Sequence, residues 1–270
     1  MYESFFGLRE KPFGVAPDPA YFFLSERHGF ACTMLEYAIS NRADFAVVTG
    51  DIGAGKTILI RQLLRTLPDE YEVGMLTNTH PHMTEIMPWI LSAFEQEARG
   101  ESAVALQRQF ERFVLSSYQA GRTVLLIIDE AQNLQPSALE SVRLLSNINV
   151  DKHRVLQVIL VGQHQLRSML QEPALEQLAQ RVAVDFNLTP LKAEEVRAYI
   201  GHRLEVAGRT DPLFSDEACA EIARLTRCLP RRINILCDTA LVFAYGKQSS
   251  QIDAQLIREV QETLGQAVTG

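Results

Sequence analysis

The chain has 270 residues, 47% of them hydrophobic and 22% charged, and a formal net charge of −7 at pH 7. This composition is ordinary for a globular protein, and the length suits one large α/β domain with a smaller second one. The acidic balance argues against a surface built mainly for nucleic acid, although a local basic patch stays possible. No signal peptide is recognisable at the amino terminus, and no apolar run approaches the roughly 20 residues of a membrane helix. We therefore expect a cytoplasmic protein without a membrane span.

Up to residue 188, the sequence predicts alternating helices and strands that follow an irregular arm. Residues 1–22 are rich in proline and phenylalanine, which indicates an arm held by aromatic anchors. Ser25 is placed to cap a helix at 27–40, and Ser137 with Glu140 fits a capping box. Apolar runs predict strands at 45–49, 71–77, 124–128, 155–161 and 182–188. Helical spacing predicts helices at 56–67, 84–98, 102–120, 137–148, 165–170 and 174–179.

Strands that alternate with helices predict a three-layer α/β core around a parallel sheet. After residue 190 the pattern is helical only, with helices predicted at 192–207, 216–227, 231–246 and 253–265. We therefore predict three parts. They are an arm and first helix belonging to the core at 1–44, an α/β core at 45–190, and a small helical lid domain at 191–270.

The segment between the first strand and its helix reads Gly-Asp-Ile-Gly-Ala-Gly-Lys-Thr, which is the pattern of a phosphate-binding P-loop. Glycines let the backbone turn its N–H groups toward phosphate oxygens, and the next helix directs its positive end at the same anion. Lys56 would add a charge at the β- and γ-phosphates of ATP, and the Thr57 hydroxyl would bind Mg²⁺. The predicted nucleotide-binding residues here are Gly50, Asp51, Ile52, Gly53, Ala54, Gly55, Lys56, Thr57 and Ile58.

Two acidic residues, Asp129 and Glu130, directly follow the apolar strand at 124–128. An acid at the carboxyl end of a parallel strand projects into the crevice where open α/β sheets bind ligands. We therefore expect Asp129 to complete the Mg²⁺ shell through water and Glu130 to orient or deprotonate the attacking water. Gln163 follows the fourth predicted strand and is placed to reach between the γ-phosphate and that water, the alternative being a solvated loop glutamine.

Arginines at two positions are further candidates for contacts with phosphate. Arg181 precedes the strand at 182–188, where it would act as an arginine finger on a neighbouring subunit's nucleotide or form a surface ion pair. Arg231 and Arg232 begin a predicted helix of the second domain. One of them would reach the phosphates and couple domain rotation to hydrolysis, or both would be solvated at the helix end. The residues alone leave these alternatives open.

Taken together, these motifs resemble the AAA+ ATPases of the general secretion pathway protein A type, over nearly the whole chain. Besides the P-loop, the motifs are Tyr2-Glu-Ser-Phe-Phe-Gly-Leu8 with Pro12-Phe13, Pro17-Asp18-Pro19, Leu24-Ser25 with His28, Ile127-Ile-Asp-Glu-Ala-Gln-Asn133, Ile159-Leu-Val-Gly-Gln163, Gln180-Arg181, Leu188-Thr-Pro-Leu191, Pro230-Arg-Arg-Ile-Asn234 and Leu236-Cys-Asp238. The resemblance implies that Gln163 is sensor 1, Arg181 the arginine finger and Arg231 sensor 2. It also implies that the chain assembles with itself into a nucleotide-dependent ring or oligomer.

The chain departs from the family pattern in three respects. Cys228 stands two residues before the motif proline, where members usually carry glycine, and Asp185 stands where members often carry a basic residue. Secretion-pathway members also continue into a membrane helix and a peptidoglycan-binding region. We therefore expect either a truncated form of such a protein or a short member of another system, such as exosortase-linked export or type IV pilus biogenesis.

The leading hypothesis is an ATPase that hydrolyses Mg²⁺-ATP at subunit interfaces and drives assembly or remodelling of a secretion or cell-envelope system. A location at the inner face of the cytoplasmic membrane, through a partner, is compatible with it. The alternative is an ATP-dependent, DNA-binding oligomer of the TniB/TnsC transposition kind, which shares this core. Its candidate contacts with DNA are Arg61, Arg65, Arg108, Arg112, Lys152 and Arg154. A third hypothesis, a nucleotide-gated scaffold with negligible turnover, fits poorly with the intact pair of acids at 129 and 130.

Overall fold

A computed structural model describes residues 1–77, 79–80, 83, 85–99, 102–150 and 153–267. These residues divide into two compact units. The helical unit comprises Met1–Gly29, Ile52–Ile58 and Thr189–Gly270, and the sheet unit comprises Phe30–Asp51 and Leu59–Leu188. This division groups the arm and the P-loop with the carboxyl-terminal helices. The predicted domain limits, 1–44, 45–190 and 191–270, stay a prediction.

The sheet unit is built on a parallel sheet, as the alternating pattern predicts. Its strands, with a small hairpin, are β1 (Phe45–Gly50), β2 (Tyr71–Leu76), β3 (Thr123–Ile128), β4 (Asn149–Val150), β5 (His153–Arg154), β6 (Leu156–Gly162) and β7 (Val182–Leu188). Within the described residues, five strands pair in the order β2-β3-β6-β1-β7, all parallel, while β4 and β5 form the antiparallel hairpin. Every residue of β1 and of β6 is buried, because both faces of the sheet are covered. The three-layer α/β core is therefore confirmed.

Helices connect these strands, and two of the predicted helices differ in extent. The helices up to β7 are α1 (Glu26–Ser40), α2 (Lys56–Thr66), α3 (Met87–Ala93), α4 (Ala103–Gln119), α5 (Pro136–Leu145), α6 (His164–Leu170) and α7 (Glu176–Ala179). The helix predicted at 84–98 is wrong in length: α3 ends before Glu95, which adopts a left-handed backbone (φ 56°). Its predicted first residue, Thr84, lies outside the described residues.

The capping box predicted at Ser137 is also wrong. The helix α5 begins at Pro136, because the fixed φ of proline suits the first position of a helix. Glu140 then lies inside the helix and forms an ion pair with Arg143, at 2.7 Å between Oε1 and Nη2. A proline at the first helical position therefore prevailed over the capping pattern.

The helical unit has its own core, which the amino-terminal arm completes. Its long helices are α8 (Glu195–Val206), α9 (Asp216–Thr226), α10 (Pro230–Gly246) and α11 (Ala254–Ala267). Tyr2, Phe6 and Phe13 of the arm are at most 2% exposed and pack into the core of these helices, so the predicted aromatic anchoring is confirmed. No helix in the described part of the chain combines the length and apolarity that crossing a bilayer requires.

A buried arginine fastens the arm to α8. The guanidinium of Arg203 donates to the carbonyl oxygens of Pro12 (2.6 Å) and Gly14 (3.2 Å) and to the hydroxyl of Tyr199 (3.1 Å). It also lies over the ring of Tyr21, 4.6 Å from its centroid. These carbonyl groups belong to an irregular segment, so the arginine supplies donors that no secondary structure provides there.

Replacing Arg203 by alanine should lower the free energy of unfolding by about 3 kcal/mol, because the carbonyl groups of Pro12 and Gly14 and the hydroxyl of Tyr199 lose a charged partner. Urea denaturation measures the loss, and limited proteolysis should show earlier cleavage within the arm. The matched control is Arg197→Ala, on the same helix, whose exposed ion pair with Asp216 should contribute within about 0.5 kcal/mol. Equal losses for the two variants would contradict this role of Arg203.

Candidate functional site

Four residues predicted for the site, Gly50, Asp129, Glu130 and Gln163, lie at one edge of the sheet unit. Strand β1 ends at Gly50, Asp129 directly follows β3, and Gln163 directly follows β6. These strands are parallel neighbours, with Thr49 paired to Gly162 and Ile128 to Leu160. Their carboxyl ends therefore share the edge at which open α/β sheets bind ligands.

The backbone of the two acids is held by a threonine that the sequence analysis did not single out. The Thr79 hydroxyl donates to two carbonyl oxygens, that of Asp129 at 3.1 Å and that of Glu130 at 2.8 Å. Asp129 is only 4% exposed, and its Oδ1 accepts from the N–H of Glu130 at 2.9 Å. Glu130 has φ 52°, a left-handed conformation that is uncommon for a residue with a side chain and occurs often at functional sites.

The carboxylate of Glu130 accepts hydrogen bonds from two glutamine amides. Oε2 lies 2.6 Å from Nε2 of Gln132 and 3.1 Å from Nε2 of Gln163. The structure therefore joins Gln163 to Glu130. Gln132 was missed as a functional residue, although it lies in the quoted run from Ile127 to Asn133.

The P-loop segment of the helical unit is closely packed on both sides. Gly53 (φ 81°) and Gly55 (φ 107°) have backbones that favour glycine. A Cβ on Gly53 would lie 2.5 Å from Cβ of Arg231, and one on Gly55 would lie 2.7 Å from Nε2 of His28. These glycines therefore provide the turn and the close approach of neighbouring groups.

His28 supports the loop from the first turn of α1. It is 4% exposed, and its Nδ1 is hydrogen-bonded to Oγ of Ser25 at 2.7 Å. Burial lowers the pKa of His28, against the opposing effect of a hydrogen bond with the Ala54 backbone, so the ring is neutral at pH 7. The sequence offered no reason to place His28 beside the P-loop. His28 appeared in it only within the family motif that joins Ser25 and His28.

The start of α10 is attached to the same loop through main-chain atoms. The N–H of Arg231 donates to the carbonyl oxygen of Gly53 at 3.2 Å, while the side chains of Arg231 and Arg232 are exposed. Cys228, in the turn before α10, has φ 57°, so it adopts the left-handed conformation that the usual glycine would favour. The backbone at Cys228 therefore has the conformation that is typical of glycine, although the residue is a cysteine.

Lys56 and Thr57 begin α2, directly after the loop. Lys56 is 6% exposed and Thr57 is partly buried. An ammonium group and backbone N–H groups at a helix start suit a triphosphate, and a hydroxyl with a carboxylate suits a hard divalent cation. The residue types of the site therefore fit a nucleotide with Mg²⁺.

Arg181 lies at the opposite edge of the sheet. It precedes β7, whose first residue Val182 pairs with Phe45 at the start of β1. Its guanidinium donates to Oγ of Ser146 and to Oδ1 of Asn147, both at 2.7 Å. Strand β1 has six residues. At about 3.3 Å per residue, it separates the two edges by roughly 20 Å.

The remaining charged candidates lie mostly in local interactions. Asp185 pairs with Arg167, at 2.9 Å between Oδ2 and Nη2. Arg154 pairs with Asp44 at 3.0 Å, and Nε of Arg112 donates to the Arg108 carbonyl at 3.3 Å. Arg61 and Arg65 lie on α2, and Lys152 lies outside the described residues. No observation singles out these residues as contacts with DNA.

Comparisons with known proteins agree with this fold. The family model described as an AAA domain matches residues 39–170. The ORC2 protein of Aeropyrum pernix, solved as ADPNP-ADP complexes, is 16% identical with a TM-score of 0.72, covering 94% of this chain and 71% of that one. Cdc6p from Pyrobaculum aerophilum is 16% identical with a TM-score of 0.71, covering 89% of this chain and 67% of that one. Residues 39–170 therefore match an AAA domain, and the chain shares the fold of these ORC2 and Cdc6p structures.

The chain is also related in sequence to a protein of the general secretion pathway. General secretion pathway protein A of Aeromonas hydrophila is 40% identical over 255 residues, which make up 93% of this chain. The matched region is 46% of that protein, so the chain spans about half the length of this relative. The resemblance drawn from the motifs is therefore confirmed.

Proposed function

We propose that the chain binds Mg²⁺-ATP at the P-loop and hydrolyses it in an oligomer, and that this cycle drives assembly or remodelling of a secretion or cell-envelope system. The observation that carries the hydrolysis proposal is the shared carboxyl edge of β1, β3 and β6. That edge gathers Asp129, Glu130 and Gln163 where β1 leads into the P-loop. The proposed partner system follows from the name of the secretion relative.

The residues have separate roles in this proposal. The loop N–H groups and Lys56 bind the phosphates, and Thr57 with Asp129 binds Mg²⁺. When bound, Mg²⁺ neutralises charge that develops on the phosphate oxygens. Glu130 orients the attacking water and accepts its proton at a carboxylate oxygen. Gln163 senses the γ-phosphate, and Arg231 contributes its guanidinium to the phosphates.

The position of Arg181 supports a nucleotide shared between subunits. Because Arg181 lies about 20 Å from the carboxyl edge of its own sheet, it acts on the nucleotide of a neighbouring copy. Its guanidinium donates to the side-chain oxygens of Ser146 and Asn147, and a planar guanidinium can donate to two phosphate oxygens in the same paired way. The proposal therefore requires self-association for full turnover.

Replacing Glu130 by glutamine tests the proposed function directly. The variant keeps the size of the side chain but removes the proton acceptor, so turnover should fall about 100-fold or more. Affinity for Mg²⁺-ATP should stay within a factor of two, and the ATP-bound oligomer should accumulate. A phosphate-release assay and analytical ultracentrifugation measure these effects.

This test has a matched control and an outcome that would refute the proposal. Glu140→Gln changes an acid outside the proposed machinery and should leave turnover unchanged. Glu130→Gln protein that hydrolyses ATP at the wild-type rate would refute the assigned base. The DNA-binding alternative predicts ATP-dependent, salt-sensitive DNA binding, which the leading proposal does not require.

A further inference from the structure

The amide of Gln132 connects the two strand ends that carry the acid and the sensor. Its Nε2 donates to Oε2 of Glu130 at 2.6 Å, and its Oε1 accepts from the backbone N–H of Gln163 at 3.0 Å. One side chain therefore uses both of its polar ends. It joins the segment after β3 to the segment after β6.

The surroundings of Gln132 fix its position. It lies in the middle of a 3₁₀ turn, Ala131–Asn133. This turn is anchored by Asn133, whose Nδ2 donates to the carbonyl oxygen of Thr79 at 3.3 Å. On the other side, a Cβ on Gly162 would lie 2.7 Å from Oε1 of Gln132, so the absence of a side chain there leaves space for the amide.

The bond to the Gln163 backbone also sets the orientation of the amide. Only the oxygen end of an amide can accept from an N–H group, so the nitrogen end must face Glu130. A carboxylate accepts from this donor but cannot donate to it. The contact with Gln163 therefore determines which group is presented to the Glu130 carboxylate.

We propose that Gln132 is a positioning residue for hydrolysis, which holds the Glu130 carboxylate at a fixed place relative to the backbone of Gln163. This inference rests on the proposed function of Glu130. When the side chain of Gln163 leaves Glu130 to meet the γ-phosphate, Gln132 keeps the carboxylate oriented toward the water. Movement of the sensor segment is thereby transmitted to Glu130.

Two substitutions test the two hydrogen-bonding ends of the Gln132 amide separately. Gln132→Leu removes both hydrogen bonds at similar volume. We expect kcat to fall by roughly 10- to 100-fold, since misplacing a reacting group by about 1 Å costs about that much, with KM within a factor of two. Gln132→Glu keeps an acceptor for the Gln163 N–H but places a second carboxylate beside Glu130. It should lower kcat similarly.

A second measurement does not depend on turnover. In nucleotide-free protein, hydrogen exchange measured by NMR should show faster exchange of the Gln163 backbone amide in Gln132→Leu but not in Gln132→Glu. The matched control is Gln165→Leu, an exposed glutamine of α6, which should change neither kcat nor this exchange rate.

Each outcome decides one question. Unchanged kcat in Gln132→Leu, or a change only in KM and thermal stability, would overturn the positioning role. Unchanged exchange of the Gln163 amide in that variant would overturn the contact on which the role rests. A wild-type protein that fails to hydrolyse ATP would instead refute the proposed function, and the exchange experiment would still decide the contact.

Discussion

Replacing Lys56 by alanine should abolish detectable nucleotide binding and reduce turnover to background. Lys56 is the first residue of α2 and is only 6% exposed, so its charge is poorly screened by water. Loss of one partner of a buried charge pair costs about 2–5 kcal/mol, and the middle of that range weakens affinity by roughly 300-fold. Titration with a fluorescent ATP analogue in the presence of Mg²⁺ measures the effect.

Arg65→Ala is the matched control for Lys56→Ala. Arg65 lies in the last turn of the same helix and is exposed, so its removal should leave nucleotide affinity unchanged. Thermal unfolding of the Lys56 variant without nucleotide should resemble that of the wild type. Wild-type affinity in the Lys56→Ala protein would show that the triphosphate does not bind this loop.

Replacing Arg181 by alanine should lower turnover by about 10³-fold, the lower end of the range for an arginine finger, and leave nucleotide affinity unchanged. Turnover and nucleotide affinity should respond differently because Arg181 lies at the amino edge of the sheet, away from the carboxyl edge where its own subunit's site is proposed. A phosphate-release assay and a nucleotide titration on the same sample distinguish the two quantities. Exposed Arg224, which pairs with Glu221, provides the control substitution Arg224→Ala.

Mixing two inactive variants tests whether the arginine acts between subunits. Arg181→Ala protein keeps Glu130, and Glu130→Gln protein keeps Arg181, so a mixed oligomer contains some interfaces with both groups intact. Turnover should therefore rise above the value of either variant alone. No recovery at any mixing ratio, despite co-assembly, would contradict the action in trans. Recovery would also show that Arg181→Ala protein is folded.

The positions of the loop after β1 and of the two acids after β3 were predictable because their patterns reflect local requirements. Gly53 and Gly55 have positive φ, and Asp129 follows a buried strand, so each residue type is dictated within a few positions of the chain. The parallel sheet followed for a similar reason. Strands buried on both faces are nearly continuous apolar runs, as β3 is from Val124 to Ile128.

The supporting residues were not predictable in the same way. Thr79, Gln132 and His28 act through hydrogen bonds to segments far away in the chain, and polar residues in loops are common. The predicted ends of two helices were wrong for a local reason. Two competing signals occurred at Pro136 and Ser137, and the left-handed backbone at Glu95 has no signature in residue type.

The bond between Gly53 and Arg231 determines what mutagenesis can reveal at the start of α10. Both partners are main-chain atoms, N–H and carbonyl, so exchanging the arginine for alanine leaves this bond in place. Alanine scanning at position 231 therefore reports on the guanidinium alone. Communication between the loop and the helix through their backbones would stay hidden from every side-chain substitution there, except one that removes the amide hydrogen.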